Sequence, residues 1–137
     1  MAEDDIHSAS NEFMLETDPR FPSGRWKGYY IQWGVRGWQE LTLQFRGGKI
    51  DGIAIDKGGE CDVHGTYDLA TGNVSLVKIY YYHKVEYRGE SRDRGIRGGF
   101  MIRYQFTIDA GDFYIWPDPD QGQGNNVLAA TKSHQAD

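Results

Sequence analysis

The feature that most constrains this chain is a period of two in its apolar residues, held with few interruptions between residues 24 and 117. Successive side chains of a strand leave opposite faces, so this alternation describes strands with one face covered. Residues 38–46 carry it most cleanly: Leu41, Leu43 and Phe45 alternate with Glu40, Thr42, Gln44 and Arg46. Eight segments read as strands: 25–33, 38–46, 49–56, 61–69, 74–82, 84–90, 96–108 and 112–116.

The connections are short. Gly34-Val35-Arg36-Gly37, Gly47-Gly48, Lys57-Gly58-Gly59, Ala70-Thr71-Gly72-Asn73 and Asp109-Ala110-Gly111-Asp112 all contain residues that tolerate positive φ. Residues 91–95 form a charged loop, and the turn at His83 lacks glycine. None has room for a crossover helix, so each strand is expected to pair antiparallel with its neighbour. Left flat, eight strands would expose two edges; closure removes both. The expected fold is all-β, an eight-stranded antiparallel up-and-down barrel. An acidic lead (1–23) precedes the barrel domain (24–117), and a polar tail (118–137) follows it. Phe13-Met14-Leu15 in the lead is expected to cap one end of the barrel or to form one helical turn.

Composition agrees. There are 18 glycines among 137 residues, four Trp and nine Tyr, which suits short strands and tight turns. The length fits one domain. No apolar run is long enough for a membrane helix. The one cysteine, Cys61, has no partner for an internal disulfide, and the acidic first residues lack a secretory apolar core. The expected location is therefore the cytoplasm, with a reduced thiol. The formal net charge of -5 argues against nucleic acid. Its distribution is uneven: the acids crowd the two ends, and the body between them is mildly basic.

Gly24-Arg25-Trp26 resembles the Gly-x-Trp that opens lipocalin and avidin barrels, the calycins. Eight hairpin-joined strands in about a hundred residues are similar to avidin in size and order. The Asn and Ser that avidins place after this Trp to hold biotin are replaced by Lys27, Gly28, Tyr29 and Tyr30, so biotin is not expected. A second resemblance runs through Ile50-x-Gly52-x-x-x-Asp56-x-x-Gly59, Gly65-x-Tyr67-Asp68, Lys78-x-Tyr80-x-x-His83-x-Val85-x-Tyr87-x-Gly89, Gly95-Ile96-x-Gly98 and Asp112-Phe113-Tyr114-Ile115-Trp116-Pro117. It is similar to a family of small, mostly uncharacterised bacterial β-barrel domains. That resemblance implies the fold and brings no chemistry.

The two-residue period sorts side chains. Trp26, Tyr30, Gln32, Leu41, Leu43, Phe45, Ile50, Ala54, Asp56, Cys61, Val63, Tyr67, Val74, Leu76, Lys78, Tyr80, Val85, Tyr87, Ile96, Phe100, Ile102, Tyr104, Phe113 and Ile115 are expected inside. This puts Gln32, Asp56, Tyr67, Lys78, Tyr80 and Tyr87 in the interior, where a lysine needs a partner. Asp56 is the obvious one. Two readings stand: a structural ion pair, or a polar pocket for a small polar or anionic ligand, with Lys78 as its cation. The other face of the fifth strand is apolar too, at Val77, Ile79 and Tyr81, which suggests a contact in a homo-oligomer, a dimer or tetramer.

Other signals carry less. Cys61-x-x-His64 puts its two residues on opposite faces of a strand, and Asp118-Pro119-Asp120 lacks the later ligands of a calcium loop. No metal, no cofactor and no catalytic residue is expected. Arg88, Arg92, Arg94, Arg97 and Arg103 interleave with Glu86, Glu90 and Asp93, as in a solvated ion-paired hairpin. The first functional expectation is a non-enzymatic binding module with its ligand in the barrel mouth. The alternative is an assembly barrel with a filled core. A small isomerase or cyclase, with Lys78 or Asp56 moving a proton, comes last.

Overall fold

A computed structural model describes residues 14–120. Its eight strands are β1 (Gly24–Gln32), β2 (Val35–Arg46), β3 (Lys49–Asp56), β4 (Gly59–Tyr67), β5 (Asn73–Ile79), β6 (Lys84–Arg92), β7 (Gly95–Arg103) and β8 (Ile108–Pro117). Each pairs antiparallel with the next, and β8 pairs with β1 to close the barrel. The expected all-β up-and-down barrel is the fold observed.

Local differences have local causes. β2 starts at Val35, not at 38, because the reversal before it takes only Trp33 and Gly34, both at positive φ (52° and 74°). Asp93 and Arg94 turn in the same way (53° and 65°), so the expected loop at 91–95 shrinks to two residues. Such paired left-handed residues match the twist of the strands they join. Gly37 therefore lies in a strand. A Cβ there would come within 2.2 Å of the Tyr30 ring.

The expected turn at 109–112 is overturned: these residues belong to β8. Gly111 is there for space, since a Cβ would sit 2.0 Å from the Ile31 carbonyl oxygen. The true reversal is 104–107, closed by the Tyr104 N–H donating to the Thr107 carbonyl (2.8 Å). Likewise β5 stops at Ile79, and the Tyr80 N–H donates to the His83 carbonyl (2.8 Å).

Most of the inward set is buried as its period predicts, from Trp26 through Ile115. Tyr30, Gln32, Asp56 and Tyr80 are half-buried. Tyr104, expected inside, is 48% exposed because it lies in the reversal between β7 and β8. Two buried side chains fall outside that set. Gln39 shares the parity of Leu41. Phe21, in the lead, is fully buried. Its ring packs on Phe45 (5.6 Å between centroids) and Tyr67 (5.0 Å). The Trp26 indole donates to the Pro22 carbonyl (2.8 Å) and fixes the approach of the lead. Phe21 thus closes the end of the barrel that carries the β2–β3, β4–β5 and β6–β7 turns. Met14 and Leu15 are exposed and do not form the expected cap; Phe13 lies outside the described residues.

Candidate functional site

An up-and-down order sends alternate turns to opposite ends. The β1–β2, β3–β4, β5–β6 and β7–β8 turns surround the end opposite Phe21. There the barrel opens into a cavity of about 340 Å³. Its wall is aromatic: Tyr30, Trp33, Tyr80, Tyr87, Phe100 and Tyr104, with Gln32, Asp56 and His83 among them.

The floor of this mouth is a polar layer. The Lys78 ammonium donates to Asp56 Oδ2 (3.0 Å) and to Gln39 Oε1, and it lies over the Tyr87 ring (5.1 Å to the centroid). Tyr80 donates to the same Asp56 Oδ2, and the Gly58 N–H donates to Oδ1 (2.7 Å). Both members of the pair are shielded, with side-chain exposures of 2% for Lys78 and 5% for Asp56. Beneath this layer the space among Leu41, Val63, Leu76, Phe113 and Ile115 is too small for a water molecule. The mouth is therefore a blind cup, and among the described residues its floor leaves one buried atom, Gln39 Nε2, without a hydrogen-bond partner.

Five of the six expected ligand residues gather here, and one does not. Asp56, Lys78, Tyr80 and Tyr87 are joined in the floor. Gln32 stands at the rim, its amide donating to Asp109 Oδ2 (3.2 Å). Asp109 also accepts from the Trp33 indole (3.0 Å). Tyr67 is at the far end, packed on Phe21 and donating to Glu16 (2.7 Å). It precedes the β4–β5 turn, so antiparallel order alone separates it from Asp56. Lys78 does not line the cavity; its charge is spent on Asp56. Two contributors were missed by sequence reasoning. Gln39 had a signal in its parity. Trp33 had none, because it sits in a turn.

The expected interface residues are also separated. Val77 is half-buried and Ile79 exposed on the outer wall, while Tyr81 stands 90% exposed in the β5–β6 turn. Cys61 faces inward, and His64 faces outward to Asp51 (2.8 Å). Among the described residues no cluster of His, Cys, Asp and Glu suits a metal ion. A second concavity, about 770 Å³, runs along the outside between Arg88, Arg97, Glu90 and Asp112. It is open and of mixed charge.

Burial sets the protonation of the interior. Desolvation raises the Tyr30 phenol, raises Tyr80 and Tyr87 well above their ordinary range, and raises Tyr67 to about 12. It raises the Cys61 thiol and lowers Lys78, against the pull of Asp56. A group whose pKa is raised by folding adds stability below its unfolded value, and that stability is lost at higher pH. For phenols this loss begins near pH ~10. Lys78 works in the opposite sense, but it is one group against four. Melting temperature should therefore fall as pH rises above ~10. In an absorbance titration near 295 nm these four phenolates should appear together with unfolding. A melting temperature that holds or rises there would show that the interior phenols ionise without cost.

Comparison with protein-family models, with curated proteins and with solved structures finds no match for this chain.

Proposed function

We propose that the protein is a non-enzymatic binding module that holds one small, polar, ring-bearing ligand in the mouth of its barrel. The observation that carries this reading is the Tyr87 hydroxyl. It lines the cavity, yet among the described residues it has no hydrogen-bond partner. In the floor beside it Gln39 Nε2 is buried without a partner, and buried polar groups in proteins are normally partnered. The half-buried Tyr30 lines the same cavity. Aromatic walls with a few convergent hydroxyls are the usual lining of a small-molecule site, and the volume lies at its lower end.

Two further points support binding over catalysis. Both Asp56 oxygens already accept hydrogen bonds, so neither is a ready proton acceptor. Lys78 is enclosed beneath the cavity. Its charge is neutralised by Asp56, which favours an uncharged polar ligand over an anion. Kinship with the avidin and lipocalin barrels is part of the same proposal, supported by the strand order and the open mouth. So is a cytoplasmic setting, supported by the single unpaired cysteine.

The test is a panel of nucleosides, monosaccharides and phenols, read by nuclear magnetic resonance shifts. Native mass spectrometry of the purified protein would identify any retained molecule. At least one panel member or retained molecule should shift Tyr30, Trp33 and Phe100. Tyr87→Phe removes one hydrogen bond, a net loss of about 0.5–1.5 kcal/mol. It should weaken that binding roughly two- to twelvefold with the melting temperature unchanged. No shift from the panel and no retained molecule would overturn the proposal, as would equal binding by Tyr87→Phe.

A further inference from the structure

Three of the four turns around the mouth carry exposed rings at their tips. Trp33 stands in the β1–β2 turn, Tyr81 and Tyr82 in the β5–β6 turn, and Phe106 in the β7–β8 turn. These four side chains are 77–90% exposed. The turns at the opposite end, Gly47-Gly48, 68–72 and Asp93-Arg94, hold no aromatic residue. Rings on the outer wall are covered in part by each other: Tyr29, Trp38, Tyr114 and Trp116 pack 4.9–6.4 Å apart. The apolar exposure of this barrel is thus concentrated at its open end.

Charge at that end is layered. In the four turns and the residues immediately flanking them, the charged side chains are Asp56, Lys57, Lys84 and Arg103. Asp56 is held by Lys78 beneath the cavity, and Arg103 reaches Glu86 (3.8 Å). Lys57 and Lys84 make no ion pair among the described residues. The nearest other acids, Glu60 and Asp109, are each the second residue of their strand, level with Arg36 in β2. Asp109 already accepts from Trp33 and Gln32. The outermost layer is therefore apolar rings with two unpaired lysines.

We infer that the open end docks on the surface of an anionic lipid bilayer, with Trp33, Tyr81, Tyr82 and Phe106 among the headgroups and Lys57 and Lys84 against their charge. Exposed apolar patches rimmed by polar residues mark protein or membrane contacts. Shape selects the membrane. These rings project from separate turns around an open cavity, so a protein partner would need a matching pit for each, whereas a bilayer interface yields to all of them. Trp and Tyr rings, apolar with one polar atom, settle at the headgroup level. Apolar insertion together with attraction to anionic lipid is the combination that holds a protein at an interface. The barrel rests on the bilayer and does not span it. Outward positions below the tips include Glu40, Gln44, Asp62, Arg88 and Glu90, and lipid-facing strand positions need to be apolar.

The test is co-sedimentation of the full chain with vesicles of phosphatidylcholine, with and without phosphatidylserine. The wild type should bind the phosphatidylserine vesicles, less so as salt is raised. Tryptophan emission should move to the blue on binding, and Trp33→Phe should remove that shift. Phe106→Ser should weaken binding about tenfold, the lower end for burying such a side chain. Lys57→Gln and Lys84→Gln should each weaken it about fivefold, the worth of one cation near an anionic surface. Trp38→Ser, on the outer wall, and Tyr87→Phe, inside the mouth, should bind as the wild type does. Circular dichroism melts check that all variants stay folded. No binding to phosphatidylserine vesicles would overturn the inference, as would equal loss by Trp38→Ser and Phe106→Ser. A lipid-free dimer in sedimentation velocity that Phe106→Ser dissolves, without vesicle binding, would make this end a contact between copies and would overturn it too. None of these readouts needs a ligand in the mouth.

Discussion

Replacing Lys78 with methionine should cost the barrel about 3–5 kcal/mol, the usual price of breaking one side of a buried ion pair. Methionine fills nearly the volume of the lysine, so packing is not the cause. The cost arises because Asp56 stays behind, 5% exposed, without a cation. Asp56→Asn should cost a similar amount for the converse reason, because it strands the ammonium over the Tyr87 ring. The double variant Lys78→Met/Asp56→Asn should recover most of the loss. With both charges gone, two side chains of similar shape remain, and such replacements are often neutral. Urea denaturation of the four proteins gives the cycle directly. Typical domains have only 5–15 kcal/mol in total, so either single variant should melt far below the wild type. A single variant within about 1 kcal/mol of the wild type would mean that water enters the floor and screens the charge. A double variant worse than either single one would mean that the two losses add and that a stranded charge is not their cause.

Phe21→Ala should be comparably severe and should act at the opposite end. Phe21 is fully buried and joins Phe45 and Tyr67 in one aromatic cluster. Truncating a core phenylalanine costs about 3–5 kcal/mol, because lost contacts and a residual cavity add. Here the cavity would open to solvent rather than collapse. The indole–Pro22 hydrogen bond that orients the lead would lose its support. Tyr67 would be uncovered, so its phenol should ionise below its present value of about 12. Calorimetry and absorbance titration read the two effects. The mouth lies a barrel's length away and shares no partner with Phe21. Its ligand affinity should stay within about twofold, by the additivity of distant sites. If Phe21→Ala left stability unchanged, the lead would be a passive strap and not a plug.

Much of this was legible before any coordinates. Alternation put Trp26, Leu41, Leu43, Phe45 and Ile115 inside, and it put Lys78 beside Asp56 as the partner it needs. Turn chemistry was a weaker guide. Asp109-Ala110-Gly111-Asp112 has turn composition but is strand, because its glycine serves the close approach of Ile31. Tyr104-Gln105-Phe106-Thr107 has no turn signal and is the turn. Tyr67 was legible too, since its place before the β4–β5 turn assigns it to the far end.

The number of strands, their nearest-neighbour order and the side that most residues take can be read along the chain. These follow from a two-residue period and short connections, both of which are local. Which end of the barrel is open emerges only in the folded barrel. That depends on Phe21, a residue outside every strand, which folds back over one end and leaves the other to Tyr30, Trp33, Tyr80 and Tyr104. The outer ring cluster emerges there as well, because Tyr29, Trp38, Tyr114 and Trp116 come from both ends of the barrel sequence and meet only when β8 closes on β1. Closure is a non-local event, and no period along the chain encodes which side chains it brings face to face.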